Sequence, residues 1–112
     1  MQLEDRDEGN VLIVKILNQR LDVQGVTDFK EKMAEYISNG RRLIVLNISD
    51  VEFVDSSGLG AMVSVLKLLG ADGRLVVCAT REPVMRMFKL TRMNKVFNMY
   101  EGERQAIDAL SR

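Results

Sequence analysis

The stretch Asp55-Ser56-Ser57-Gly58-Leu59-Gly60 sets two hydroxyls between a carboxylate and a glycine, directly ahead of an apolar run with helical spacing. At the mouth of a helix the unpaired backbone N–H groups and the positive end of the macrodipole meet. The position therefore suits an anion, either bound there or esterified to serine as phosphate. A serine that merely caps the helix is the plainer account of Ser-Ser-Gly before a helix. Two features go beyond it. Asp55 is a third capping-type residue in a row, and Gly58 and Gly60 lie in the first turn, where each costs about 1 kcal/mol relative to alanine. Such glycines imply close approach by another molecule or tight packing against a strand. A phosphate would add about −1.5 to −2 charges, welcome at a helix start but repelled by Asp55, so the modified form is expected to differ mainly in surface charge.

Other chemistry is sparse. The chain has no histidine and no tryptophan. A Ser/His/Asp or Cys/His nucleophile system therefore lacks its base, and common zinc and non-haem iron sites lack their usual nitrogen ligand. No positive feature points to an enzyme, and no cofactor is implied. The single cysteine, Cys78, cannot close an internal disulfide, and its place in Leu75-Val76-Val77-Cys78-Ala79 predicts a buried, inert thiol. Gly58-Leu59-Gly60 lacks the third glycine of a dinucleotide turn and the lysine of a P-loop, so nucleotide binding by this chain alone is not expected. The methionines are assigned to core filling, and Arg41-Arg42, Arg81, Arg86, Lys89, Arg92 and Lys95 to a solvated face.

The elements that must position the turn follow from periodicity. Gln2 to Glu8 reads as an exposed edge strand, joined across Gly9-Asn10 to the β-branched run Val11-Leu12-Ile13-Val14-Lys15-Ile16-Leu17. Asp22 is placed to cap a helix running to about Ser38, with Val26, Phe29, Met33, Tyr36 and Ile37 on one face and Asn39-Gly40 ending it. Leu43 to Ile48 is a nearly continuous apolar run, as in a central strand covered on both faces. The helix opened by Ser56 should end near Leu69, at Gly70. A strand from Leu75 to Ala79, a helix introduced by Pro83, a short strand near Val96 to Met99 and a helix from about Glu103 to Leu110 complete the order.

The length, with 46% apolar residues, supplies one packed core and too little for two, so residues 1–112 are read as a single α/β domain. Sixteen basic residues balance sixteen acidic ones, so bulk charge draws the chain neither to nucleic acid nor to an anionic membrane. No apolar run approaches the roughly 18 residues of a membrane span, and the acidic start is unlike a secretory signal. A cytoplasmic location is expected.

On the helix after Ser56, Leu59, Met62, Val63, Leu66 and Leu69 form the stripe that should pack on the sheet. Ala61, Val65 and Leu68 form a second apolar strip beginning one turn from Ser56. Either a neighbouring helix covers it or it is a partner-binding surface beside a modifiable serine.

Asp55 to Gly60, preceded by Leu43 to Ile48 and by Ser49-Asp50-Val51-Glu52-Phe53-Val54, resembles the anti-sigma factor antagonists of the STAS domain superfamily. Leu21-Asp22, Leu75 to Ala79 and Val84 to Phe88 extend the resemblance over nearly the whole chain. The chain departs from that pattern at Asn18-Gln19-Arg20, where the family often has glycine, and at Arg92-Met93, near the place of a Gly-Leu pair. The resemblance implies the STAS fold, a mixed and mostly parallel sheet of about five strands with about four helices. It also implies partner switching. A GHKL-type serine kinase that is also the anti-sigma factor binds the unphosphorylated antagonist and then phosphorylates the serine directly after the aspartate, here Ser56. The antagonist is released, and a PP2C-type phosphatase restores it. By the same carry-over Asp22 lies near Ser56 on the kinase-facing surface, and Ser57 is a neighbour rather than the acceptor. The expected partner-binding set is thus Asp22, Asp55, Ser56, Ser57, Gly58, Ala61, Val65 and Leu68. The alternatives are an unmodified STAS scaffold or ligand-sensing module, and a partner switch that controls a non-sigma target such as secretion.

Overall fold

The structure, a computed structural model, describes residues 1–111. Strand β1 (Leu3–Glu8) turns at Gly9, whose φ of +61° is open to glycine without steric cost, and pairs antiparallel with β2 (Val11–Ile16). The chain then makes the two-residue strand β3 (Arg20–Leu21), helix α1 (Val26–Ser38), β4 (Leu43–Asn47), a second two-residue strand β5 (Phe53–Val54), and α2 (Ser56–Leu69). After these come β6 (Arg74–Cys78), α3 (Glu82–Leu90), a single 3₁₀ turn at Met93–Lys95, β7 (Asn98–Tyr100) and α4 (Glu103–Leu110). The main sheet runs β1-β2-β4-β6-β7, and every pairing except the first is parallel. This is the expected α/β arrangement, mixed and mostly parallel. The last strand lies slightly later than the expected Val96 to Met99, because Val96 is half exposed in the turn after the 3₁₀ segment.

The continuous apolar runs have a simple cause. Successive strand residues point to opposite faces, and both faces are covered. Leu12, Val14, Ile16, Ile44, Leu46, Leu75 and Val77 pack in one core with Phe29, Met33 and Ile37 of α1, Leu59, Met62 and Leu69 of α2, and Val84 and Phe88 of α3. Val11, Ile13, Val45, Val76 and Cys78 meet Ala106, Ile107 and Leu110 of α4 in a second. Three helices thus lie on one face and one on the other. Pro83 sits in the first turn of α3, as its fixed φ favours.

The small pair β3–β5 is not evident from hydrophobic pattern. Its register, Arg20 with Phe53 and Leu21 with Val54, ties the segment before α1 to the segment before α2. Both helices therefore begin at the same end of the sheet.

Candidate functional site

Asp55, not a serine, caps α2. Its backbone is extended and its Oδ1 accepts the Gly58 N–H at 2.8 Å, while its carbonyl accepts the first helical bond from Leu59. The other carboxylate oxygen accepts the N–H of Val23 at 3.2 Å. A contribution from Ser57 completes the set, and these donors, Gly58 foremost, hold the Asp55 carboxyl below its ordinary range. The helix mouth is thus supplied with an anion by the protein itself. Ser56 then falls at the first helical position with its side chain exposed, and Ser57 beside it is partly covered.

Gly58 has a structural reason that its sequence context leaves open. A Cβ there would lie 2.2 Å from the Leu21 carbonyl oxygen and 2.9 Å from Val54 Cγ1, so the glycine lets the helix start pack on β3 and β5. Gly60 is different. A Cβ at that position would meet nothing within 4 Å.

Asp22 does come next to the turn, through Val23, whose N–H bonds to Asp55. It does not cap α1. The helix cap is Gly25, and Asp22 instead forms a turn in which its carbonyl accepts from Gly25 and Val26 and its Oδ1 accepts from Gln24. The residue after β3 is still committed to that turn, so the helix begins later than its capping-type residue implies. The Asp22 Oδ2 pairs with Arg20 at 3.0 Å, and the Arg20 guanidinium lies 4.3 Å from the centre of the Phe53 ring.

The apolar strip on α2 requires a correction. Ala61 and Val65 are 3% and 2% exposed, because α1 packs along that side of α2. Only Leu68, at 56%, stays open, at the rim of a shallow groove lined by Lys30, Glu31, Ala34, Ser64 and Val65. Gly58 is likewise buried. The surface around Ser56 is supplied instead by residues that periodicity does not single out, namely Val23 (68% exposed), Phe53 (40%) and Arg20. An aromatic residue in the loop just ahead of the Asp-Ser-Ser turn is the one signal that could have drawn attention to them. Among the described residues no three His, Cys, Asp or Glu side chains gather as metal ligands do, and no helix is long and apolar enough to cross a membrane.

The STAS domain family model matches residues 2–106. An anti-sigma F factor antagonist of Paenibacillus polymyxa is 31% identical over 112 residues, covering 98% of this chain and 95% of its own. An anti-sigma-B factor antagonist of Staphylococcus aureus is 31% identical over 103 residues, covering 91% and 94%. Among solved structures, an anti-sigma factor antagonist from Mycobacterium paratuberculosis superposes with a TM-score of 0.90 over 99% of this chain and 94% of its own, at 22% identity. The Bacillus cell fate determinant SpoIIAA, an anti-sigma factor antagonist, has been solved unphosphorylated and phosphorylated. Both forms share the fold at 23% identity, with TM-scores of 0.70 over 98% of this chain and 0.68 over 96%, each covering 96% of its own. From sequence and fold together, this chain belongs to the STAS domain family, alongside its anti-sigma factor antagonists.

Proposed function

We propose that this protein is a phosphorylation-switched anti-sigma factor antagonist. Unmodified, it binds a GHKL-type serine kinase that is also the anti-sigma factor; phosphorylated on Ser56, it is released, and a PP2C-type phosphatase resets it. The observation that carries this reading is the exposed Ser56 hydroxyl at the start of α2, immediately after an aspartate that already occupies the helix-capping role. A kinase can reach that hydroxyl without opening the fold. Because the Asp55 carboxylate takes the N–H groups of Gly58 and Val23, a phosphate on Ser56 finds a negative neighbour where free donors would otherwise be. It is directed outward, and it changes what can dock while leaving the fold as it was.

The naming of similar proteins as antagonists of anti-sigma factors, and the existence of SpoIIAA in a phosphorylated form, support the same reading. The role is regulatory rather than enzymatic, and it is exercised in the cytoplasm. The docking face comprises Asp22, Asp55, Ser56 and Ser57, with Val23, Phe53 and Arg20 beside them and Leu68 farther along α2.

Incubation with the cognate kinase and ATP, followed by mass spectrometry, tests the proposal. One phosphate on Ser56 is expected; modification confined to Ser57, or none, would refute it. Ser56→Ala should bind the kinase and resist modification, whereas Ser56→Asp should bind weakly. Equal binding by the two variants would exclude the charge switch.

A further inference from the structure

A second surface, formed by α3 and the segment that follows it, does not include Ser56. Charge is balanced over the chain, yet Arg81, Arg86, Lys89, Arg92 and Lys95 stand against the single carboxylate Glu82 between residues 81 and 95. Elsewhere eleven basic residues face fifteen acidic ones. The segment is therefore a local basic patch on an otherwise acidic protein. Arg81 is engaged with the Ser49 carbonyl and Arg86 lies 3.8 Å from Glu82, but Lys89, Arg92 and Lys95 are exposed and have no carboxylate partner among the described residues.

Helix α3 starts at the carboxyl end of the parallel strands, the end where Ser56 also lies, and closes at Leu90. There two aliphatic side chains stand in solvent, Leu90 at 81% and Val96 at 46% exposure. Beside them, between α3 and the sheet's outer strand β7, runs an open groove of about 370 Å³ lined by Met85, Lys89, Phe97, Met99 and Tyr100, with Asn94 and Asn98 at its polar side.

Packing and capping do not account for these residues. Val84 and Phe88 already fill the inner side of α3, and the Thr91 hydroxyl donates to the carbonyls of Met87 and Phe88, closing the helix end. A cation in the last turn complements the macrodipole, which explains Lys89 but neither Arg92 nor Lys95, which lie beyond the helix. Arg92 is held at φ +61°, a left-handed conformation that glycine adopts freely and arginine does not. The chain keeps a costly cation, exposed and without a carboxylate partner among the described residues, where a glycine would fold more easily.

We propose that the α3–β7 surface docks an acidic protein segment bearing apolar side chains, with its carboxylates on Lys89, Arg92 and Lys95 and an apolar residue against Leu90 and the Met85–Phe97–Met99 groove. A lipid surface fits less well, because the apolar side of α3 is spent on the core and only Leu90 and Val96 are left to insert.

The test is an NMR titration of the full chain at low salt with a blocked heptapeptide of five glutamates and two leucines, with the Leu→Ser version of that peptide as control. Shifts confined to residues 81–100 are expected, with binding weakened about tenfold or more by the Lys89→Glu/Lys95→Glu pair and weakened also by Leu90→Ser. Arg92→Gly is the decisive variant: it should raise the melting temperature and still weaken the peptide. Unchanged binding by Arg92→Gly, shifts centred on residues 55–65, equal binding of the Leu→Ser peptide, or a response only to phosphatidylglycerol vesicles or duplex DNA would each overturn the proposal.

Discussion

The Asp55 carboxylate accepts the N–H of Val23 at 3.2 Å with one oxygen and the N–H of Gly58 at 2.8 Å with the other. A single side chain therefore fastens the loop after β3 to the start of α2 and holds Asp22, Val23 and Ser56 in one frame. The parallel pairing of Leu21 with Val54 reinforces this join through the backbone.

Asp55→Ala should lower stability by about 1–2 kcal/mol, as loss of a helix cap does, and chemical denaturation would measure it. The pH dependence has a definite sign. A carboxyl held below its ordinary range contributes stability above the unfolded-state pKa of about 4, and that contribution is lost as pH falls through its lower folded value. Acid unfolding of Asp55→Ala should accordingly be less steep than that of the parent protein below about pH 4. Parallel acid curves would contradict the capping geometry.

Gly58→Ala and Gly60→Ala should move stability in opposite directions. Helix propensity alone favours alanine at both by about 1 kcal/mol. At Gly58 the new Cβ meets a backbone oxygen at 2.2 Å, which no rotamer change relieves, so a net loss of about 1–3 kcal/mol is expected. At Gly60 the space is open and the propensity gain of about 0.5–1 kcal/mol should survive. Thermal melts of the two variants decide the matter. If Gly60→Ala is stable but fails to bind the kinase, that glycine serves close approach by the partner.

Glu103 joins the sheet's two-faced core to its edge. One oxygen accepts from Arg6 at 2.8 Å and the other from the side-chain N–H of Asn47 at 2.6 Å, and Asn47 is the one buried polar side chain of the strands, 8% exposed. Glu103→Ala leaves that amide donor unpaired, with an expected cost of about 1–3 kcal/mol in denaturant unfolding. Arg6 and Asn47 hold the Glu103 carboxyl low, against the opposing effect of its partial burial. Its contribution is thus complete above the ordinary glutamate range and declines as pH falls through the folded value.

Burial pushes the Cys78 thiol up to about 12, with the nearby Glu103 charge acting in the same direction. Alkylation by iodoacetamide at pH 8 should be slow in the native protein and rise with denaturant in step with unfolding, since the thiolate must form and be reached. Rapid native-state labelling would show that the strand opens locally.

The amino-acid sequence by itself determined the succession along the chain of the five main-sheet strands and the four helices, because strands buried on both faces must be apolar at nearly every position, as Leu43 to Ile48 is, while helices such as α3 and α4 repeat their apolar residues every three or four. It also marked the Asp-Ser-Ser-Gly turn, since capping residues followed by a helical run are a local signal read from neighbours in the chain. Which apolar residues remained outside was a different matter. Periodicity places Ala61, Val65 and Leu68 on one strip, but only the closeness of α1 buries the first two and leaves Leu68 open. Likewise the cap by Asp55 is local, whereas its bond to Val23, the β3–β5 pair and the clash that reserves Gly58 arise between segments more than thirty residues apart. Such contacts depend on how elements pack in three dimensions, and a one-dimensional pattern carries no distance between them.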